Sequence, residues 1–549
     1  MQKKILTVIC SALILTSAGC NAAGQHENTD AGSTSAADSS LTEISRDTSL
    51  VSETASTSES TDDVPTTNTS AEYEEKIFGK DVLEISITTE EANWQNLMDN
   101  AGDKPWIECD ITIDGVTFKD VGIKTKGNTS LQQLVKDEST RYSLKVNFGK
   151  YTEGQTCYGL DKLALNNIYA DSTYLKEYMS YDLMRFMQVP SSLCTFANIT
   201  VNGEHYGFFL AVEDADDSYL ERIYGSDSNV KGYKPEAMDM AGQPDRKNMP
   251  QMSEQDGNTQ RPDFPDGDSS GFPQRPDGGN MPQMPGQGGM PGGMDGGRNG
   301  VDLTYIDDAP ESYSNIFDNH INKIEEEDQQ RLIASLKNIS NGEKLEESIN
   351  VDEVLRYTAC NVFLVNLDSY LSSNCHNYIL TELNGQLSML PWDYNLSFGT
   401  YQCKSADDAV NYAIDTVFNG VSEEERPLIA KLLAKEEYRE KYHQYLREIA
   451  EKYVQSGKFA ETVEKVSSVI NDYVKTDSTS FDGYDAYVEG IDTLKQLMEL
   501  RTQSVLGQLD GTIPSTAEEQ TNSDKLIDAS SVDLKKLGTM NMGGGFPAR

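Results

Sequence analysis

Apolar residues recur with a regular period in only two stretches of this chain, about 73–235 and 301–510, so a folded body must be assembled from two blocks held apart in sequence. Residues 21–70, ahead of the first block, are Ser, Thr, Ala, Asp and Glu with few large apolar side chains. Such a stretch buries too little surface to offset the entropy of ordering, and it reads as a disordered stalk. Residues 236–300, between the blocks, are rich in Gly, Pro, Met, Gln and Asp. Short elements repeat there: Gln260-Arg261-Pro262-Asp263 returns as Gln274-Arg275-Pro276-Asp277, and Asn248-Met249-Pro250-Gln251-Met252 as Asn280-Met281-Pro282-Gln283-Met284. These repeats are too short and polar for a solenoid. The stretch reads as a disordered insertion in a surface loop, because closure entropy grows slowly with loop length. A binding segment for wall, matrix or partner is the other reading. Residues 512–549, which end in Met542-Gly543-Gly544-Gly545-Phe546-Pro547, read as a disordered tail.

The first twenty residues follow the order of a secretory signal: Lys3 and Lys4, an apolar run from Ile5 to Leu15, then small residues up to Cys20. The apolar run is about half of the roughly 20 residues a spanning helix needs. A Cys directly after Ala18-Gly19 resembles the bacterial lipoprotein signal, in which that Cys becomes the lipidated N-terminus, although Ser17 stands where Leu is usual. The expectation is a chain tethered to the outer face of the cell membrane through Cys20. An ordinary signal peptide that releases the chain is the alternative. The formal net charge of −43 repels phosphate backbones and anionic lipid surfaces, so no nucleic-acid partner is expected and the lipid anchor is the one membrane contact. Past the signal, Cys109, Cys157, Cys194, Cys360, Cys375 and Cys403 form no C-x-x-C pair, which disfavours zinc. Export would permit disulfides, but spacing gives no connectivity. The His residues lack the H-x-x-x-H spacing of a zinc protease.

The first block opens with alternating strands at 82–87 and 107–113, the latter before the turn Asp114-Gly115, and again at 142–148. Asp171 to Met187 reads as a helix capped by Asp171 or Ser172. A hairpin follows through Asn202-Gly203, joining 196–201 to 206–212. The second block reads as helices at 322–338, 351–366, 424–435 and 436–453, with a hairpin through Asn384-Gly385. The fold class is therefore α+β. Strands, then helix, hairpin and helices is the element order of a protein kinase. The general kinase signatures, G-x-G-x-x-G, His-Arg-Asp and Asp-Phe-Gly, are absent.

Several segments nonetheless fall in a characteristic order. They are Ile123-Lys124-Thr125-Lys126-Gly127-Asn128-Thr129-Ser130, Tyr142 to Phe148, and Val201-Asn202-Gly203 with Tyr206 to Glu213. Tyr233-Lys234-Pro235 and Leu303-Thr304-Tyr305 flank the insertion. Then come Asn366-Leu367-Asp368-Ser369-Tyr370, His376-Asn377-Tyr378, Leu390-Pro391-Trp392-Asp393-Tyr394-Asn395-Leu396-Ser397-Phe398-Gly399 and Arg426-Pro427-Leu428-Ile429. This series, covering about 80–455, resembles the CotH family of spore-coat kinases. The resemblance implies a two-lobed, atypical protein-kinase-like fold over 71–511, with ATP and Mg2+ as cofactors and Ser/Thr of exported, spore-coat or surface proteins as acceptors. Lys124 and Lys126 stand where relatives often carry Arg, and Asn395 where many carry a second Asp. The first change keeps the charge but loses a bidentate phosphate fork; the second removes one carboxylate from the metal end.

Phosphoryl transfer needs cations for the phosphates, oxygen ligands for the metal, and a base for the acceptor hydroxyl. The resemblance assigns the base to Asp368 and the metal to Asn377 and Asp393, which the Asn384-Gly385 hairpin would bring together. It places Lys145 on the phosphates with Glu177 as its helix partner, Lys126, Asn128 and Ser130 over them, and Glu213 beside the adenine, where a backbone contact is expected. Each has a plainer reading: Lys145 on a solvent-facing strand, a polar turn at 126–130, and Asp393 capping a turn beside Trp392. A non-catalytic scaffold for surface adhesion or coat assembly is the competing function. A glycoside hydrolase has no motif support.

Overall fold

The computed structural model describes residues 71–236, 300–538 and 540. The signal segment with Cys20, the stalk and residues 237–299 of the insertion lie outside the described residues.

Seven strands form the first body: β1 (Val82–Thr88), β2 (Ile107–Ile113), β3 (Val116–Thr125), β4 (Leu144–Asn147), β5 (Lys162–Asn166), β6 (Cys194–Val201) and β7 (Glu204–Glu213). They close into a barrel in the order β1-β2-β3-β4-β5-β7-β6. All neighbours are antiparallel except β1 and β6, whose parallel pairing from Val82↔Phe196 to Ile87↔Val201 seals the sheet. The tight turns follow from sequence. Asp114-Gly115 has φ of 46° and 85°, and Asn202-Gly203 has 50° and 86°. Two consecutive left-handed residues are what a two-residue hairpin between twisted strands requires.

Strand alternation divides the apolar residues between two cores. Leu83, Ile85, Ile111, Ile123, Val146, Leu165, Ile199 and Phe209 belong to the barrel core. Phe196, Phe208, Leu210 and Val212 turn the other way and pack with Met179, Leu183 and the helical body. That body includes helices Glu326–Asn341, Val351–Phe363, Glu436–Glu448, Lys458–Thr476 and Gly483–Leu509. It also carries a three-stranded sheet of β8 (Lys231–Tyr233), β9 (Tyr378–Leu383) and β10 (Gln386–Pro391), in the order β10-β9-β8. The β9–β10 hairpin turns at Asn384-Gly385, again left-handed at both residues. The α+β mixture expected of the sequence is what forms. Closure of the strands into a barrel is a feature that alternation alone does not reveal.

Two expectations need correction. The helix expected from Asp171 begins only at Lys176 and runs to Phe186. Ahead of it Ile168, Ala170 and Tyr174 have φ of 62°, 61° and 61°, which no α-helix contains. The Asp171 carboxylate instead folds this loop by accepting from the Thr173 and Lys176 amides at 3.0 and 2.8 Å. The tail expected to be disordered from 512 is ordered through 538. Ala529 and Leu537 are completely buried, and Ala529 N–H donates to Asp407 at 2.7 Å. Among the described residues the six cysteines form no disulfide.

One buried ion pair ties the barrel to the helical body. Arg141, just ahead of β4, meets Asp477, in the link between the two last long helices, at 2.7 Å. Both side chains are almost fully enclosed, at 4% and 0% exposure. Arg141 also donates to the Asn167 and Phe208 carbonyls, and Asp477 accepts from the Phe208 amide. Burial opposes the Asp477 charge, but Arg141 and the hydrogen bonds outweigh it and hold the carboxyl below its ordinary value. Replacing Arg141 with Ala takes the guanidinium from a buried carboxylate, leaving it His205 at 3.2 Å, and is expected to cost about 3–5 kcal/mol in urea denaturation. The pair's contribution is whole above the unfolded carboxylate pKa of about 3.9 and falls away as pH drops through the depressed folded value. A variant as stable as the parent at pH 7 would contradict this.

Candidate active site

A cleft of about 740 Å³ opens between strand ends of the barrel and the β9–β10 hairpin. Its two sides have opposite chemistry. One side carries Lys104, Lys124, Lys126, Lys145 and Lys234. Lys124 and Lys145 are register partners on β3 and β4, so strand pairing alone sets two ammonium groups side by side. Burial, then Lys145 and Lys104, lower the Lys124 pKa. Burial also lowers that of Lys234, whose Nζ sits 4.1 Å from the centre of the Trp392 ring. Helix Thr129–Lys136 points its N-terminus at the same cleft. Asn128 makes no capping bond to that helix and instead accepts from Lys104 Nζ at 2.8 Å. The first-turn amides are therefore left for an anion. This side is suited to a ligand with several negative charges.

The other side is acidic. Asp368 follows helix Val351–Phe363, and three side chains hold its carboxylate. His376 Nε2 and Asn374 Nδ2 each lie 2.6 Å from Oδ1, and Asn377 Nδ2 donates to Oδ2 at 3.0 Å. Burial works against the His376 imidazolium, but Asp368, with Asp393 and Glu236, raises its pKa. The hairpin brings Asn377 and Asp393 together as the sequence suggested: Pro391 pairs with Tyr378, and Asn377 Nδ2 reaches the Asp393 carbonyl at 3.5 Å. Both residues have φ of 57°. Asn and Asp tolerate this left-handed conformation better than most residues, and strain of this kind is concentrated at functional sites.

Two expected partnerships are not the ones that form. Lys145 pairs with Asp214, not with Glu177. Lys145 is level with Ala164, which is level with Val212, and Asp214 lies two residues on. Burial acts to raise the Asp214 pKa, but Lys145, Lys234 and Lys126 outweigh it and hold it low. Glu177 joins a different chain of contacts. Lys126 Nζ donates to Asn166 at 2.5 Å, Asn166 and Tyr181 donate to Glu177 at 2.8 and 3.0 Å, and Asp393 N–H donates to Tyr181 at 3.2 Å. Glu213 is outside the cleft altogether. Its carboxylate is buried against Tyr73 (2.6 Å) and Arg222 (2.8 and 2.5 Å), and its amide bonds the Leu193 carbonyl at 2.8 Å. Period-two alternation carried the signal, since it turns residue 213 away from the face that residue 214 joins. The remaining expected residues, Lys126, Asn128, Ser130, Lys145, Glu177, Asp368, Asn377 and Asp393, all line the cleft. Asp214, Lys234, Asn374 and His376 line it beside them.

A hard cation suits the acidic end. Burial, then the nearby Asp393 charge, raises the Glu177 pKa. With Asn377 Nδ2 committed to Asp368, its Oδ1 and the Asp393 carboxylate are the oxygens offered. Among the described residues no group of three or more His, Cys, Asp or Glu forms a metal cage. The donor set matches Mg2+, which takes one or two carboxylates and fills its octahedron with phosphate oxygens and water.

The family model for CotH kinase protein matches residues 123–505, which include the cleft lining except Lys104 and Met540. No curated protein matches the chain. The extent of the family match, over most of the sequence, shows that the chain belongs to the CotH kinase family.

Proposed function

We propose that this protein is a Mg2+- and ATP-dependent kinase that phosphorylates Ser or Thr of exported, spore-coat or cell-surface proteins, working from the outer face of the membrane to which a lipid on Cys20 tethers it. The observation that carries the reading is the polarity of the cleft: five lysines face a held carboxylate and a pair of oxygen ligands. Family membership favours phosphoryl transfer over other uses of such a cleft, and the element order favours a two-lobed, kinase-like arrangement.

Bound Mg–ATP would supply the transferable phosphoryl group. The lysine side, with Lys145 fixed by Asp214, binds and orients polyphosphate. Asn377 and Asp393 offer the metal oxygens. Asp368 acts on the acceptor. Its Oδ1 already takes two donors and its Oδ2 one, so Oδ2 has the lone pairs to take the hydroxyl proton. As that proton leaves, the acceptor oxygen bonds to phosphorus and the bond to the departing nucleoside diphosphate breaks. His376 and Asn374 keep the carboxylate aimed throughout.

The full chain is tested with labelled ATP and a Ser/Thr-rich exported protein. Asp368→Asn is expected to lower the transfer rate by about 10²–10⁴-fold with nucleotide affinity little changed, as loss of a general base does. Asp393→Ala is expected to remove the Mg2+ dependence of binding and transfer together. Lys145→Met is expected to weaken nucleotide binding at least tenfold, about 1.4 kcal/mol. Nucleotide binding without transfer to any acceptor, equal in parent and Asp368→Asn, would favour the non-catalytic scaffold instead.

A further inference from the structure

The family match ends at residue 505, yet the chain after it returns to the cleft. Ile527 exchanges two hydrogen bonds with the Asn411 side chain, at 2.9 and 2.8 Å. Leu537 is fully buried, and its carbonyl accepts from Ser172 N–H at 3.2 Å. Gly538, with φ of 90°, lies directly on the backbone of residues 170–172. A Cβ placed there would come within 2.6 Å of the Ala170 oxygen and 2.7 Å of the Ser172 nitrogen. Two residues on, Met540 lines the cleft.

The backbone under this strap is the most contorted part of the site. Ile168, Ala170 and Tyr174 are left-handed, and the first is β-branched, for which such a conformation is a true outlier. Strain of this kind persists only when the surroundings over-determine it. Some restraint is internal: Asp171 folds the loop, and Lys176 Nζ holds the Ala170 carbonyl at 2.7 Å. Further restraint comes from outside, from Asp482 on the Ser172 hydroxyl at 2.7 Å, from Ser480 on the Tyr174 hydroxyl at 3.0 Å and from the strap. The loop in turn lines the cleft through Tyr169 and Asp171, and the Tyr169 carbonyl meets Asn395, two residues past Asp393, at 3.4 Å.

We infer that residues 526–538 are a positioning strap for the active site, clamping the left-handed 168–174 loop so that it keeps the shape of the cleft wall beside Asn395. The consequence for turnover rests on the kinase reading; the clamp itself does not. Gly538→Val in the full chain separates the two, because a side chain there must push strap and loop apart. Amide hydrogen exchange in peptides spanning 167–176 is expected to quicken at least tenfold, while peptides from 194–213 stay unchanged. The KM for ATP is expected to rise at least fivefold. Should Gly538→Val loosen every peptide, the milder Leu537→Ala decides by the same local criterion. Unchanged exchange at 167–176 in a folded variant would overturn the inference. Faster local exchange in a protein whose parent transfers no phosphate would leave the strap standing and remove the kinase reading.

Discussion

Closure of the barrel by the parallel β1–β6 pair is the constraint on which the cleft depends. A closed sheet has no free edge along which a strand can slip, and a slip of one residue would turn every side chain to the opposite face. With the register locked, Lys124 stands against Lys145, Lys145 against Ala164, and Ala164 against Val212. Asp214 then arrives where it can pair with Lys145. Of the closing pair, β1 lies before the family match begins at 123, as does its neighbour β2, so the chain needs its first described strands to present residues the match contains.

Within that frame the electrostatics are deliberately unbalanced. The chain as a whole carries −43, yet one side of the cleft gathers five lysines with Asp214 as a close partner. Ammonium groups lose hydration there, and burial pushes Lys124 and Lys234 down in pKa. Trp392 relieves part of this by offering its ring face to Lys234 and Lys126. At the acidic end burial, and then Asp393, raise the Glu177 pKa. An anion that brings its own divalent cation would relieve both ends at once.

The legible parts of the sequence were those in which local chemistry decides the outcome. Asn202-Gly203 and Asn384-Gly385 specify hairpins without help from the rest of the chain, and the second brings Asn377 to Asp393. The order of motifs led to Asp368, which lines the cleft. The illegible parts depended on distant packing. Strand β3 is polar and largely exposed in its first half, so alternation is faint. Lys145 was assigned Glu177 by analogy, whereas register across three strands selects Asp214. Residues 512–538 carry few apolar side chains, and their order comes from single buried anchors such as Ile513, Ala529 and Leu537. The bend at 168–174 could not be read at all, because left-handed Ile and Tyr are imposed from outside the segment.

The most direct test is a crystal structure of the full chain grown with Mg2+ and a non-hydrolysable ATP analogue. The account predicts phosphate oxygens against Lys126 and Lys145, a metal ion shared by Asn377, Asp393 and the phosphates, and the terminal phosphate facing Asp368. A nucleotide bound elsewhere, or a cleft in which the metal ignores Asn377 and Asp393, would contradict it.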